Sequence, residues 1–387
     1  MMRTDTPDKK TPKKATRRTY LLVLLLDLLA LAANQLAIHS STFANAYSHY
    51  VYRVLSLGIG SVMGLLPFSV VELLLYATIL FVLFDFVKQL RRAVRAAVAR
   101  PLRHFLGHLF LILSTLLVLY VFLCGINYHR TSFSEEAGLS VTIDAHGTVY
   151  DEADLIALCD YLVTEINDTE AQLDVPCIGQ TAETPKPSAA WLWHAGRTGQ
   201  RAMEKLGQRY RRLSGHYPYP KPILNTWILS VQQTTGVYSP FTVEANYNRD
   251  IAYYDIPFTI CHELSHLRGY MQEEEANFIG VLATIGADDL YFNYSGYVSA
   301  WVYAGNALAR IDSTAFATLY SRINARTRQD MLYNNAYWQQ FEGKPAEAHE
   351  QLNDAYLKMQ GQTSGVRSYG HVTDLMLEYF AKNGALK

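Results

Sequence analysis

Three apolar stretches in the first third of the chain restrict its folding most. Residues 20–38, 68–87 and 105–124 are each close to the roughly 20 residues a helix needs to cross a bilayer core. Lipid offers backbone amides no water, so each stretch is expected as a membrane-spanning helix. A fourth stretch, 51–66, is weaker and rich in glycine, and reads as an interfacial or re-entrant piece. Asp27 interrupts the first stretch, Glu72 and Asp85 lie in the second, and His108 in the third. Acids at such depth are costly and hint at function. Helix packing is the simpler reading here: Asp85 sits beside Lys88, Glu72 is near the opposite end, and Asp27 can face a neighbouring helix.

Charge orients these segments. Arg3, Lys9, Lys10, Lys13, Lys14, Arg17 and Arg18 precede the first span, and Lys88, Arg91, Arg92, Arg95, Arg100 and Arg103 follow the second. Only Arg53 lies between the first two. The positive-inside rule then puts the N-terminus and the 88–103 loop in the cytoplasm, and everything after Cys124 outside. Ala30-Leu31-Ala32 also resembles a signal-peptide cleavage site. Cleavage there would leave the later spans fixed by the 88–103 loop.

The 387 residues carry a net charge of -1, which gives no basic surface for nucleic acid. Cys124, Cys159, Cys177 and Cys261 form no CxxC pair, which argues against a cysteine zinc ribbon. Cys159 and Cys177 could pair in an oxidising compartment; two unrelated buried thiols are the alternative.

Beyond Cys124 the chain is long enough to bury its own core. Residues 125–150 read as a linker and entry strand. Ala153, Leu155, Ile156, Leu158, Leu162 and Ile166 give 151–166 a helical apolar face. Pro176, Pro185 and Pro187 mark 174–189 as loop, and helical patterning resumes over 189–213. The prolines of 216–222 exclude helix and central strand. Residues 223–231 read as a strand, and 236–247 as a second with partial alternation. After Tyr297 the pattern is mostly helical, broken by the Gly/Ser-rich 361–370.

The chemistry concentrates in His262-Glu263-Leu264-Ser265-His266. Histidines four apart share one helix face, so both can bind one zinc ion at about 2.0–2.1 Å. Glu263 can reach a water at the metal without occupying the metal. It would take the water's proton as hydroxide attacks a carbonyl, then pass that proton to the leaving amine. Pro257 suits a first helical turn, Asp255 can help cap it, and Gly269 suits a left-handed stop. Ile260, Leu264 and Leu267 supply the apolar side. Arg268 departs from the apolar residue usual there in zinc peptidases. The competing reading is two histidines solvated on a helix.

A catalytic zinc needs a third protein ligand and one open position. Glu273, Glu274 and Glu275 open a second helix expected over 272–285. Acids at a helix start also suit its dipole without any metal. His216 and His371 remain open as other third ligands. Gln272 occupies the place where some zinc peptidases carry a third histidine, but it is a poor zinc ligand.

Glu273-Glu274-Glu275-Ala276-Asn277 resembles the Glu-x-x-Ala-Asp of glutamate-type zinc peptidases, with Asn277 in place of aspartate. That resemblance implies Glu273 as the third ligand, with Glu275 the runner-up. Asn277 would be a hydrogen-bond partner to a ligating histidine. More broadly, several segments together resemble an uncharacterised family of bacterial zincin-like membrane proteins, a domain of unknown function. They are Gly236-Val-Tyr-Ser-Pro-Phe-Thr-Val-Glu-Ala-Asn246, Pro257-Phe-Thr-Ile-Cys-His-Glu-Leu-Ser-His266, Gly269-Tyr270, Glu273 to Phe278, Tyr294-Ser-Gly-Tyr297 and Gly365-Val-Arg-Ser-Tyr-Gly370. The resemblance covers most of the chain. It implies a glutamate-type zinc peptidase and no particular substrate. Zincins usually pair substrate with an edge strand, and 236–247 is the candidate, with Tyr238, Phe241, Glu244 and Asn246. Tyr294, Tyr297 or Tyr369 could donate to the oxyanion, although core packing is the default for tyrosines.

The expected fold class is α+β, mostly helical: N-terminal transmembrane helices followed by a zincin-like metallopeptidase domain. Residues 1–18 form a cytoplasmic basic tail, 19–124 the membrane region, 125–150 a linker, and 151–387 the extracytoplasmic catalytic domain. The expected function is a multi-pass zinc metallopeptidase of the cytoplasmic membrane, with one Zn2+ per chain and a peptide, protein or cell-envelope substrate. A non-peptidase zinc amidase and a membrane-tethered zinc-binding scaffold are the alternatives. Intramembrane proteolysis fits less well, because the motif lies far past the last span (residue 262 against residue 124) in polar sequence.

Overall fold

A computed structural model describes residues 12–139, 151–173, 178–360 and 371–387. Helices dominate it. The first, α1 (Pro12–His39), is followed by α2 (Ser41–Tyr47), a π-helical turn (Ser48–Tyr52) and α3 (Arg53–Gly64). Then α4 (Val70–Ala96) and α5 (Arg100–Leu123) form a hairpin, with α5 packed against both α1 and α4. These three long helices, α1, α4 and α5, are long and apolar enough to cross a membrane. Polar groups stitch them together. Ser114 donates to Asp27 at 2.8 Å, joining α5 to α1. Asp85 accepts from Gln89 at 2.9 Å and meets His108 Nδ1 at 2.8 Å, joining α4 to α5. Most of the basic tail lies outside the described residues.

Glu72 does something else. Its carboxylate leaves the helix bundle and accepts the amides of Leu224 and Asn225 at 2.8 Å each. The stretch 51–66, expected as an interfacial or re-entrant piece, is the π-helical turn and α3, with one face against the polar part of the chain. Tyr52 is buried, and Gly60 lies so close to Pro218 that a Cβ would stand 2.7 Å from Cγ. Val54, Val62 and Leu65 remain exposed on α3 and just after it.

The first part of the expected linker, 125–139, is folded against the rest of the chain. A 3-10 turn (Gly125–His129) and α6 (Phe133–Glu136) bury Ile126, Tyr128 and Phe133. These side chains are too apolar to cross solvent as a tether, and burying each contributes roughly 1.5–3 kcal/mol. Residues 140–150 lie outside the described residues. Next comes α7 (Glu152–Ala171), which opens with a reciprocal capping box between Asp151 and Asp154. Cys159 is buried on it, while Cys177, and with it the suggested pairing, falls outside the described residues. After α8 (Ala189–Arg209) comes a small sheet of β1 (Lys221–Pro222), β2 (Gly236–Ser239) and β3 (Glu244–Tyr247), with α9 (Trp227–Ser230) between β1 and β2.

The order β1-β3-β2 makes β3 central, parallel to β1 and antiparallel to β2. Pro222 is tolerated because β1 is an edge. The strand expected over 223–231 does not form. Ile223 still donates to Tyr247 O at 2.9 Å, but the next two amides turn to Glu72, and a helical turn follows.

Seven helices complete the described order, α10 (Asp255–His266), α11 (Glu273–Ile285), α12 (Leu290–Ile311), α13 (Ser313–Arg322), α14 (Ala325–Gln339), α15 (Lys344–Met359) and α16 (His371–Asn383). Helix α12 is central, packed on α7, α10, α11, α13 and α16. One buried cluster runs from Ala30 on α1 through Tyr52, Ile126 and Phe133 to Tyr297 and Met376. The separate core expected beyond Cys124 is therefore continuous with the apolar helices.

Candidate metal centre

The geometry begins with how α10 is held. Its first-turn amide on Phe258 would be orphaned at a buried helix start; Ser295 of α12 accepts it at 3.1 Å and donates to Tyr254 O. Pro257 costs nothing in that turn. The helix stops after His266, and the chain reverses at Gly269 with φ +83. A side chain there would also meet Asn127 and Tyr52 at 3.2 Å. Arg268 is buried. Its guanidinium lies 4.1 Å over Tyr217 and donates to His216 O at 2.6 Å, which explains an arginine where an apolar residue was expected. Gln272 donates to Tyr128 O at 2.7 Å, fixing the turn into α11.

This arrangement brings Glu273 to the two histidines. The Nε2 atoms of His262 and His266 are 3.1 Å apart, and Glu273 oxygens lie 3.3 Å and 3.8 Å from them. Among the described residues, His262, His266 and Glu273 form the one set of three potential ligand atoms gathered within 4.8 Å. Tetrahedral ligands about 2.0–2.1 Å from zinc stand about 3.4 Å from one another, so the donor set fits the ion. Tyr270 O faces His266 Nδ1 at 2.7 Å and keeps the proton there, leaving Nε2 as the donor. Burial lowers the His266 pKa to about 4 and so favours the neutral, ligating form. Burial also opposes charge on His262, but the hydrogen bond and charge of Glu273 prevail and raise its pKa. The same pairing outweighs burial for Glu273 and lowers its pKa. Asn277, one turn after Glu273, faces His262 and favours its charged form.

Glu263 stands beside this set with its side chain buried. Burial raises its pKa to about 8, partly offset by His262. Oε2 has no hydrogen-bond partner among the described residues. The carboxylate leans on β2: a Cβ on Gly236 would stand 2.5 Å from Glu263 Oε1. Both line a cleft of about 1130 Å³ that also holds Tyr120, Tyr254, Tyr303 and Tyr356.

Several expected residues lie elsewhere. Glu275 points away and accepts the Ser134 amide at 2.9 Å and hydroxyl at 2.6 Å. Two residues along a helix turn a side chain by roughly 200°, so Glu275 cannot share the face of Glu273. Tyr294 donates to Asp330 at 2.7 Å and Tyr297 packs on Tyr161; both are core residues away from the cleft. Tyr369 falls outside the described residues. His216 is mostly exposed beside Glu204, and neither it nor His371 joins the cluster. Tyr238 and Phe241 line the cleft, but Glu244 and Asn246 belong to central β3. The chain folds back at Val243, with φ +53, and so splits the expected strand into a hairpin. Asp255 also lines the cleft, and burial raises its pKa to about 7. It lies seven residues before His262, two turns up the same face, a spacing that sequence alone could have exposed.

The family model "Protein of unknown function (DUF3810)" matches residues 47–377. No curated protein and no solved structure matches the chain.

Proposed function

The chain belongs to this DUF3810 family, and we propose that it is a membrane-anchored, zinc-dependent metallopeptidase of the glutamate type, with a zincin-like site that acts outside the cytoplasmic membrane. The observation that carries the reading is the convergence of His262, His266 and Glu273 on one point beside the buried carboxylate of Glu263. His262, His266 and Glu273 would hold the ion. When bound, zinc supplies Lewis acidity and acidifies water.

Glu263 does the proton work. It accepts a proton from the attacking water as the new C–O bond forms. It returns that proton to the nitrogen as the amide C–N bond breaks, so one water is consumed per bond cut. Its placement off the ligand set, against Gly236, supports a catalytic rather than a structural centre, which has no use for a base. The edge of β2 supports a peptide substrate, because an extended chain can add to it by backbone pairing. The basic residues of 3–18 and of 88–103, where α4 ends and α5 begins, support an external site.

Metal analysis of the purified chain should find about one zinc per chain, lost in His262→Ala and His266→Ala. Glu263→Gln should keep zinc and lose cleavage of a peptide library by at least about a hundredfold. A wild type that binds zinc but cleaves no better than Glu263→Gln would refute the peptidase reading.

A further inference from the structure

We propose that the substrate is a membrane-inserted polypeptide, cut within a few residues of the point where it leaves the bilayer. This rests on the peptidase reading above and adds the class of substrate. The argument starts from β2. A Cβ on Gly236 would stand 2.5 Å from Glu263 Oε1, so the strand backbone runs close beside the catalytic carboxylate. Two residues on, the Tyr238 hydroxyl donates to the carbonyl of Leu123, the last residue of α5, at 3.1 Å. A strand rises about 3.3 Å per residue, so these two points are about 7 Å apart along β2. Tyr120 and Cys124, from the same end of α5, stand in the cleft wall.

The sheet is fixed to the neighbouring apolar helix as well. Glu244 on β3 accepts the amides of Val70 and Val71 at 3.1 and 2.8 Å, and both open α4. In the hairpin, the start of α4 and the end of α5 lie on the same side. The metal site thus stands on the ends of two helices that can span a bilayer. Tyr52, just before α3, donates to the carbonyls of His266 and Leu267 at 3.3 Å each, binding the motif to the same floor. Leu65, between α3 and α4, is 82% exposed, as suits a side chain at a lipid surface.

A chain paired along the edge of β2, whose Gly236 to Tyr238 line the cleft, therefore runs from the base to the end of the apolar helix α5 within about two to four residues. A polypeptide rising from the membrane meets the site immediately. One with its cleavable segment far from the bilayer must double back to reach it. Cys124 and His262, 138 positions apart in sequence, line the same cleft.

The test uses the full zinc-loaded chain in phosphatidylcholine–phosphatidylglycerol vesicles. One random polypeptide library is offered in three forms: directly after an apolar helix of about 20 residues, after the same helix and a flexible spacer of about 15 residues, and free in solution. Both anchored arms share the gain in local concentration that tethering gives, so the spacer isolates distance from the bilayer. Direct attachment should be cut at least about tenfold faster than the spaced form, with sites mapped by mass spectrometry to within about five residues of the helix. Equal cutting of the free or spaced library would overturn this inference and leave the peptidase reading intact. No cutting in any arm, with zinc bound and Glu263→Gln indistinguishable, would overturn both.

Discussion

Glu273 and Glu275 carry the same functional group two residues apart, yet they sit in opposite settings. Glu273 faces two imidazoles, and Glu275 anchors Ser134. Replacing a residue that only orients a ligand costs 10–100-fold in metal affinity, so Glu273→Gln should weaken zinc binding by more than about a hundredfold. Glu275→Gln should keep zinc and lose about 1–3 kcal/mol of stability, because a buried charge-assisted contact is removed. Titration with a chelating dye, alongside denaturant unfolding, separates the two; the reverse pattern would move the ligand to Glu275. Gly236 gives a sharper check. A Cβ there stands 2.5 Å from Glu263 Oε1, so Gly236→Ala must displace the base while sparing the ligands. Misplacement by about 1 Å can cost about a hundredfold. Expected are unchanged zinc content and a kcat reduced more than about tenfold; an unaltered kcat would mean the carboxylate is not held where it works.

At the scale of elements, what the sequence discloses follows the range of the interactions. The spacing of His262 and His266, the helix beginning near Glu273 and the three apolar stretches are local, period-governed features, and they are readable. The roles of Glu72 and Glu244 are not. Glu72 looks like an acid stranded in a membrane helix, and Glu244 like part of a substrate strand. Together they form a reciprocal clasp: Glu72 of α4 accepts the amides of Leu224 and Asn225, and Glu244 accepts those of Val70 and Val71. Their partners are more than 150 positions away, and no local pattern announces them. Lys221 makes the two halves unequal, because it is fully buried and ion-paired with Glu244. Glu72→Gln should therefore cost about 1–3 kcal/mol. Glu244→Gln strands a buried ammonium and should cost about 3–5 kcal/mol. Thermal unfolding of the detergent-solubilised chain would rank them. If Glu72→Gln proves the more damaging, Lys221 does not depend on Glu244 as inferred.

The whole molecule departs most from its sequence in how it is divided. Composition splits it near residue 150 into an anchor and a catalytic domain. The buried cluster runs across that boundary, because Tyr52, Ile126 and Phe133 pack among residues of the later helices. Each is almost completely buried, at 1%, 0% and 0% exposure. At roughly 1.5–3 kcal/mol for each such side chain, the three together contribute about 5–9 kcal/mol. A native domain of this kind is stable by only about 5–15 kcal/mol in total. A fragment of residues 151–387 also lacks Ser134, the partner of Glu275 beside the metal site, and Tyr128, which holds Gln272 in the turn between the ligands. Expressed alone, it should fail to unfold cooperatively, bind a hydrophobic dye and take up little zinc, even though His262, His266 and Glu273 are all present in its sequence. A chain beginning near residue 41 regains all three packing residues and both turn contacts, so in detergent it should recover zinc binding. If the shorter fragment instead shows a single cooperative transition with zinc bound, residues 151–387 have a sufficient core of their own. In that case the apolar helices position the site at the membrane without helping to build it.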